Sequence, residues 1–254
     1  MVQLFTLGSV LCLVFITATA DVHRRGKFLP HDRTVINCAS LNRKAHQHSS
    51  VLAPFTTEGP FFLPDDLKRS DITDGQKGIP LELTIKLTNA KDCTPISNFF
   101  IHAWQTNATG VYSGIDEDTA PLSGFRPTPV NRDRSLRGYQ ETDANGEVKF
   151  LTILPGWYSG RAIHIHIEVY AKDITDENKI TYIGQFYFEH DFPLKLRKIY
   201  PYSTNTQRII FNEQDYYYVH DHGDETTLDL KHNGAKFSSY ATVAIDPTVT
   251  VHVQ

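Results

Sequence analysis

The chain has 254 residues, with 25 Lys and Arg against 29 Asp and Glu and a formal net charge of −4. A charge this small and this evenly spread argues against nucleic acid, or an anionic membrane surface, as the main partner. Residues 21–254, once a leader is set aside, have the size of one domain with a substantial core.

The chain opens on an apolar run, Leu4 to Ile16, that is short for a bilayer span and ends in Ala18-Thr19-Ala20. Residues 1–20 therefore read as a secretory signal peptide cut after Ala20. The expected localisation is secreted/extracellular, with no membrane partner after cleavage. A membrane anchor or a buried helix is the alternative. Residues 21–55 are polar and His-rich, an irregular N-terminal arm with one short helix expected around Ser40–His48. Cys12 leaves with the leader, so Cys38 and Cys93 remain. Two cysteines in an oxidising compartment most often pair, which predicts a Cys38–Cys93 disulfide over two separate thiols. Asn107-Ala108-Thr109 is a glycosylation sequon, meaningful only in an exported chain.

From residue 56 to 254 the pattern is all-β. Leu81 to Leu87 alternates apolar and polar, as a half-buried strand does. Asn98 to Trp104, Val148 to Ile153, Ile163 to Tyr170 and Thr181 to Phe188 read as further strands, with an Asn-Gly turn at Asn145-Gly146. Gln207–Phe211, a polar aromatic segment to His222 and a final strand from Tyr240 to Val253 complete the chain. Short strands at such intervals predict a β-sandwich. Gly114 to Leu136 has no period, and loops that long in compact domains tend to carry function.

The sharpest chemical signal is Arg161-Ala162-Ile163-His164-Ile165-His166-Ile167-Glu168. Strand alternation sends His164 and His166 to one face and the three isoleucines to the other. Two imidazoles on one face form a metal clamp or a pair of surface histidines. Two tyrosines, Tyr112 and Tyr158, stand in Gly-flanked loops upstream. A phenol titrates near pH 10, so phenolate ligation asks for a highly charged cation. Two phenolates with two imidazoles suit a hard trivalent ion better than zinc or magnesium. Tyr218-Val219-His220-Asp221-His222-Gly223-Asp224 is a rival cluster without an alternating apolar face, and His46-Gln47-His48 reads as a polar face of the arm.

These segments, taken in order, resemble the intradiol ring-cleavage dioxygenases, the enzymes that cleave catechol and protocatechuate. The matching pieces are Thr57-Glu58-Gly59-Pro60-Phe61-Phe62, Arg69-Ser70-Asp71-Ile72, Gly110-Val111-Tyr112-Ser113, Arg137-Gly138-Tyr139-Gln140-Glu141-Thr142-Asp143, Pro155-Gly156-Trp157-Tyr158 and His164-Ile165-His166. The resemblance implies non-haem Fe(III) held by Tyr112, Tyr158, His164 and His166. Tyr112 would stay bound and Tyr158 would leave as a catechol chelates the iron. Arg161 matches the family's active-site arginine and Gln185 its glutamine. It further implies small catechols or polyphenols and O2 as substrates, with ring-opened, muconate-type diacids as products.

Only five residues separate Tyr158 from His164, where bacterial relatives carry an insertion. A long helical dimerisation region is also not recognised. Both features imply an open pocket and broad substrate tolerance, and favour a monomer, with an oligomer as the alternative. Gln105-Thr106-Asn107 stands where relatives often have His-Cys-Asp or His-Cys-Asn. Two other readings stay open: a non-catalytic secreted β-sandwich that binds ligands, and a metallohydrolase using His164, His166 and Glu168, which shares their strand parity.

Overall fold

The computed structural model describes residues 56–64, 67–116, 126–173, 176 and 179–251. The expected signal segment, the arm with its helix, Cys38, His46 and His48 lie outside the described residues, as do positions 117–125 of the long loop. Among the described residues no helix is long and apolar enough to cross a membrane.

Among the described residues, eight strands build two four-stranded sheets. β1 (Pro80–Asn89), β4 (Glu147–Ile153), β7 (Lys231–Asn233) and β8 (Lys236–Ile245) form the first, in the order β4-β1-β8-β7. β2 (Phe99–Trp104), β3 (Arg137–Glu141), β5 (His164–Ala171) and β6 (Ile180–Tyr187) form the second, in the order β3-β2-β5-β6. Pairing is antiparallel except for β1 with β8, which run parallel and so need the whole intervening chain as their crossover.

The expected sandwich is what the chain forms. The alternation in β1 buries Leu81, Leu83, Ile85 and Leu87 against the apolar face of the second sheet, Ile101 and Ala103 from β2 with Ile165, Ile167 and Val169 from β5. Both inner faces pack into one apolar layer, which is the main stabilising term of such a fold.

The structure departs from the sequence reading at several boundaries. The final strand ends at Ile245 rather than Val253. Asp246 Oδ1 there accepts from Thr248 N and Oγ1 at 2.9 and 2.6 Å, an Asx turn around Pro247 that takes the chain off the ladder. β3 and β7 go unforeseen, the latter because its three residues are all exposed and carry no alternation. The Asn145-Gly146 turn does not close a hairpin. Asp143 Oδ1 accepts from Asn145 N and Glu147 N, Gly146 sits at φ 74°, and the turn carries the chain from β3 in one sheet to β4 in the other.

Ile167 is fully buried at the centre of the strand that carries both histidines. Ile167→Ala should therefore lower unfolding free energy by about 2–5 kcal/mol, read from urea denaturation at unchanged m-value.

Candidate metal centre

The inner face of β5 belongs to the core, and its outer face carries His164 and His166. Both rings are buried, and their Nε2 atoms stand 3.0 Å apart. His164 Nδ1 lies 2.7 Å from the Ala162 carbonyl oxygen. A carbonyl can only accept, so Nδ1 carries the proton and Nε2 presents its lone pair. The Tyr112 hydroxyl is 3.3 Å from that same Nε2. Tyr158 approaches edge-on, with its ring 5.7 Å from those of Tyr112 and His164. The structure thus brings Tyr112, Tyr158, His164 and His166 to one place.

Each donor is held by identifiable chemistry. Trp104 on β2 lies parallel to the His166 ring, 4.7 Å away at 5°. Gly59 passes over His166, where an added Cβ would meet its Cε1 at 3.5 Å. Phe61 stacks on Tyr112 at 4.5 Å. The fully buried Arg137 donates to the Phe61 carbonyl and to the Ser113 carbonyl and hydroxyl, tying the segments on either side of the Tyr112 ring.

The two tyrosine loops are interlocked. Asn107 Oδ1 accepts from Thr109 N, Thr109 Oγ1 and Val111 N, shaping the turn that leads to Tyr112. At its tip Gly110 has φ 80°, and an added Cβ would lie 1.9 Å from the Trp157 carbonyl oxygen, beside Tyr158. Gln207 bridges the loops from a third segment. Its Nε2 donates to the Thr109 and Gly110 carbonyls, its Oε1 accepts from Ser159 N, and its own carbonyl accepts from Trp157 Nε1.

Burial dominates the electrostatics of the cluster. Burial pushes the Tyr112 phenol well above its usual range, reinforced by the Tyr158 oxygen and opposed by Arg161 and Arg137. Burial raises Tyr158 to about 12 against the pull of Arg161. Burial, with Arg161 adding to it, lowers His164 to about 3, and burial with the neighbouring His164 and Arg161 lowers His166. Neutral imidazoles that converge through their Nε2 atoms beside two phenols are a nitrogen and oxygen donor set suited to a compact, highly charged cation. His166 Nδ1 is also buried without a hydrogen-bond partner, an unrelieved cost within the cluster. The donors present therefore fit a trivalent metal.

Arg161 stands beside this cluster. Its Nε donates to Asp215 Oδ2 at 2.9 Å, and its Nη2 donates to Gln185 Oε1 at 2.5 Å and Tyr187 Oη at 3.0 Å. The Tyr217 ring covers its face at 4.4 Å. Burial works against its charge, yet the Tyr158, Tyr187 and Asp215 oxygens more than offset this and keep it cationic. Gln185 is placed next to the histidines because it pairs with His166 across β5 and β6.

The rival groupings do not assemble. Among the described residues no three His, Cys, Asp or Glu side chains gather to hold a metal. His220 Nδ1 contacts the Tyr216 carbonyl, Asp221 accepts from Thr56, and Glu168 accepts from the Tyr170 hydroxyl at 3.1 Å. Cys93 takes part in a disulfide, while its expected partner Cys38 lies outside the described residues.

An intradiol ring-cleavage dioxygenase from Tetranychus urticae superposes on 80% of this chain and 98% of its own, with a TM-score of 0.72 and 30% identity. The chain belongs to the intradiol ring-cleavage dioxygenases. Within that family, 140 residues are 31% identical to the protocatechuate 3,4-dioxygenase beta chain of Burkholderia cepacia, covering 51% of this chain and 53% of that one. Another match, 29% over 110 residues, is to catechol 1,2-dioxygenase 1 of Acinetobacter lwoffii, covering 41% of this chain and 32% of that one. The chain thus spans about half the length, or less, of these two curated relatives. No family model matches it.

The sequence pattern assigns no site role to Arg137, Gln207 or Asp215, although Arg137 stands in one of the matching segments. Asp215 before a tyrosine run carried a readable N-cap signal, but its partner Arg161 is 54 positions away. Gly110→Ala, forced against backbone at positive φ, should cost more than about 2 kcal/mol and lower metal retention. Gln207→Ala should cost about 1–2 kcal/mol without a clash. Thermal melting and metal analysis of the two variants check both.

Proposed function

We propose that this chain is a secreted intradiol dioxygenase that opens catecholic rings between their two oxygens with O2, giving muconate-type diacids. The observation that carries this reading is the approach of the His164 and His166 Nε2 atoms to 3.0 Å beside Tyr112 and Tyr158. Those four side chains would hold non-haem Fe(III). The ion, when bound, supplies a Lewis-acidic, redox-active centre at which a chelated catechol becomes reactive toward O2.

The protein's own groups divide the remaining work. Tyr112 is almost fully buried and locked between Phe61 and Arg137, which suits a permanent ligand. Tyr158 is half-buried in a short turn, which suits a ligand that swings out. Burial raises its phenol to about 12, so as a phenolate Tyr158 would be a strong enough base to take a catechol hydroxyl proton at Oη. Arg161, cationic and fixed on several sides, stabilises the negative charge that builds on the opening ring. Gln185 holds Nη2 of that arginine.

Small catechols or plant-type polyphenols are the proposed substrates, since Tyr158 to His164 is a short, uninserted connection beside the cluster. We also propose export through the 1–20 leader, a Cys38–Cys93 bridge, a monomer, and a glycan at Asn107. Asn107 Oδ1 is committed to the turn before Tyr112, so only its Nδ2 is available for a sugar.

The test is oxygen uptake over a panel of catechols with product analysis. Stoichiometric oxygen consumption and a diacid cleaved between the two former hydroxyl carbons are expected. Cleavage beside them, or no turnover by an iron-replete protein on any catechol, refutes the reading. In parallel, His164→Ala should lose the iron and the reddish phenolate-to-metal absorption; a colourless wild type with bound zinc would point to hydrolytic chemistry instead.

A further inference from the structure

The carboxylate of Asp215 is fully buried and completely used. Oδ2 accepts from Arg161 Nε at 2.9 Å and from Ala162 N at 2.7 Å. Oδ1 accepts from Tyr217 N at 2.9 Å and Tyr218 N at 3.2 Å, capping the short helix Tyr216–His220. One carboxylate therefore joins Arg161, the Ala162 residue whose carbonyl fixes the His164 tautomer, and the backbone of Tyr217 and Tyr218. Tyr217 covers the Arg161 face at 4.4 Å, and Tyr218 packs edge-on against Tyr187 at 5.0 Å, which itself holds Arg161 Nη2.

We propose that Asp215 is a positioning residue for the proposed reaction, orienting Arg161 and, through the Ala162 backbone, the His164 imidazole. The inference rests on the dioxygenase reading given above. A long flexible arginine in the short segment before β5 would otherwise sample many rotamers, and preorganised charge is what lowers a barrier without reorganisation. Asp215 fixes Nε, and Gln185 and Tyr187 fix Nη2, so the guanidinium plane is held at two of its nitrogens.

Asp215→Asn separates this role from simple capping. Asn caps helices about as well as Asp and keeps one acceptor for the backbone, but it removes the negative charge opposite Nε. With catechol as substrate and iron content matched to wild type, kcat should fall about 10- to 100-fold with KM changed much less, because fixed charge acts mainly in the transition state. In metal-free protein the Arg161 Nε–H resonance, assigned by its loss in Arg161→Lys, should exchange slowly in wild type and at least tenfold faster in Asp215→Asn. A kcat within twofold of wild type overturns the proposal. So does a lowered kcat with Nε–H still protected, since the effect then runs by another route. Should the Asn protein fail to fold, Asp215→Glu decides by the same measures. It keeps the charge but displaces it by a methylene, so a lowered kcat with faster Nε–H exchange supports the role and an unchanged kcat refutes it. The exchange measurement needs no turnover, so a wild type inactive on catechols but with a protected Nε–H would sink the dioxygenase reading and not the tether.

Discussion

The approach of two neutral imidazoles to 3.0 Å on one face of β5 is the constraint on which the site depends. It is possible only because the other face of the same strand is occupied by isoleucines committed to the core. Strand alternation makes the two faces one decision. A slip of a single residue in register would send both histidines between the sheets and three isoleucines to the loops. The apolar layer therefore does more than stabilise the fold: it sets the parity of the donors.

The loops over that face are held by polar contacts rather than by a second core. Gly110 lies against the Trp157 carbonyl with no room for a side chain, and Gln207 spans the same junction from a third segment. Arg137 performs the equivalent task on the other side, between Phe61 and Ser113. Its charge is buried but meets carbonyl and hydroxyl oxygens in several directions, the condition under which burying a cation is tolerable. Tyr112 is consequently fixed by contacts to its own loop and to two others. Tyr158 sits in a shorter turn and is only half-buried, so the two phenols are unequally packed.

Much of this was legible in the sequence, for a physical reason. Period-two alternation in Leu81–Leu87 and in the His-x-His strand is local, and the fold obeys it. Tyrosines in Gly-flanked turns next to strands were local signals too, and the structure gathers them with the histidines. What stayed hidden is contact between residues far apart in the chain. Asp215 with Arg161, Gln207 with Thr109 and Ser159, and the parallel pairing of β1 with β8 have no local pattern to announce them. The last strand was overextended because Thr248 to Val253 keeps a β-rich composition, while the turn chemistry of Asp246-Pro247 decides the matter.

The charge inventory then bears on which cation the proposed site prefers. His164 and His166 are neutral, and Asp215 is matched by Arg161. If both phenols ionise, the donors contribute two negative charges, and a divalent ion would leave a neutral sphere with little pull on an anionic ligand. A trivalent ion leaves one positive charge, which with the fixed guanidinium favours a catecholate over water or a neutral phenol. The same excess offsets the burial that otherwise keeps Tyr112 and Tyr158 protonated. On the proposed ligand set, donor type and net charge would thus favour the same ion, because both follow from the two phenols.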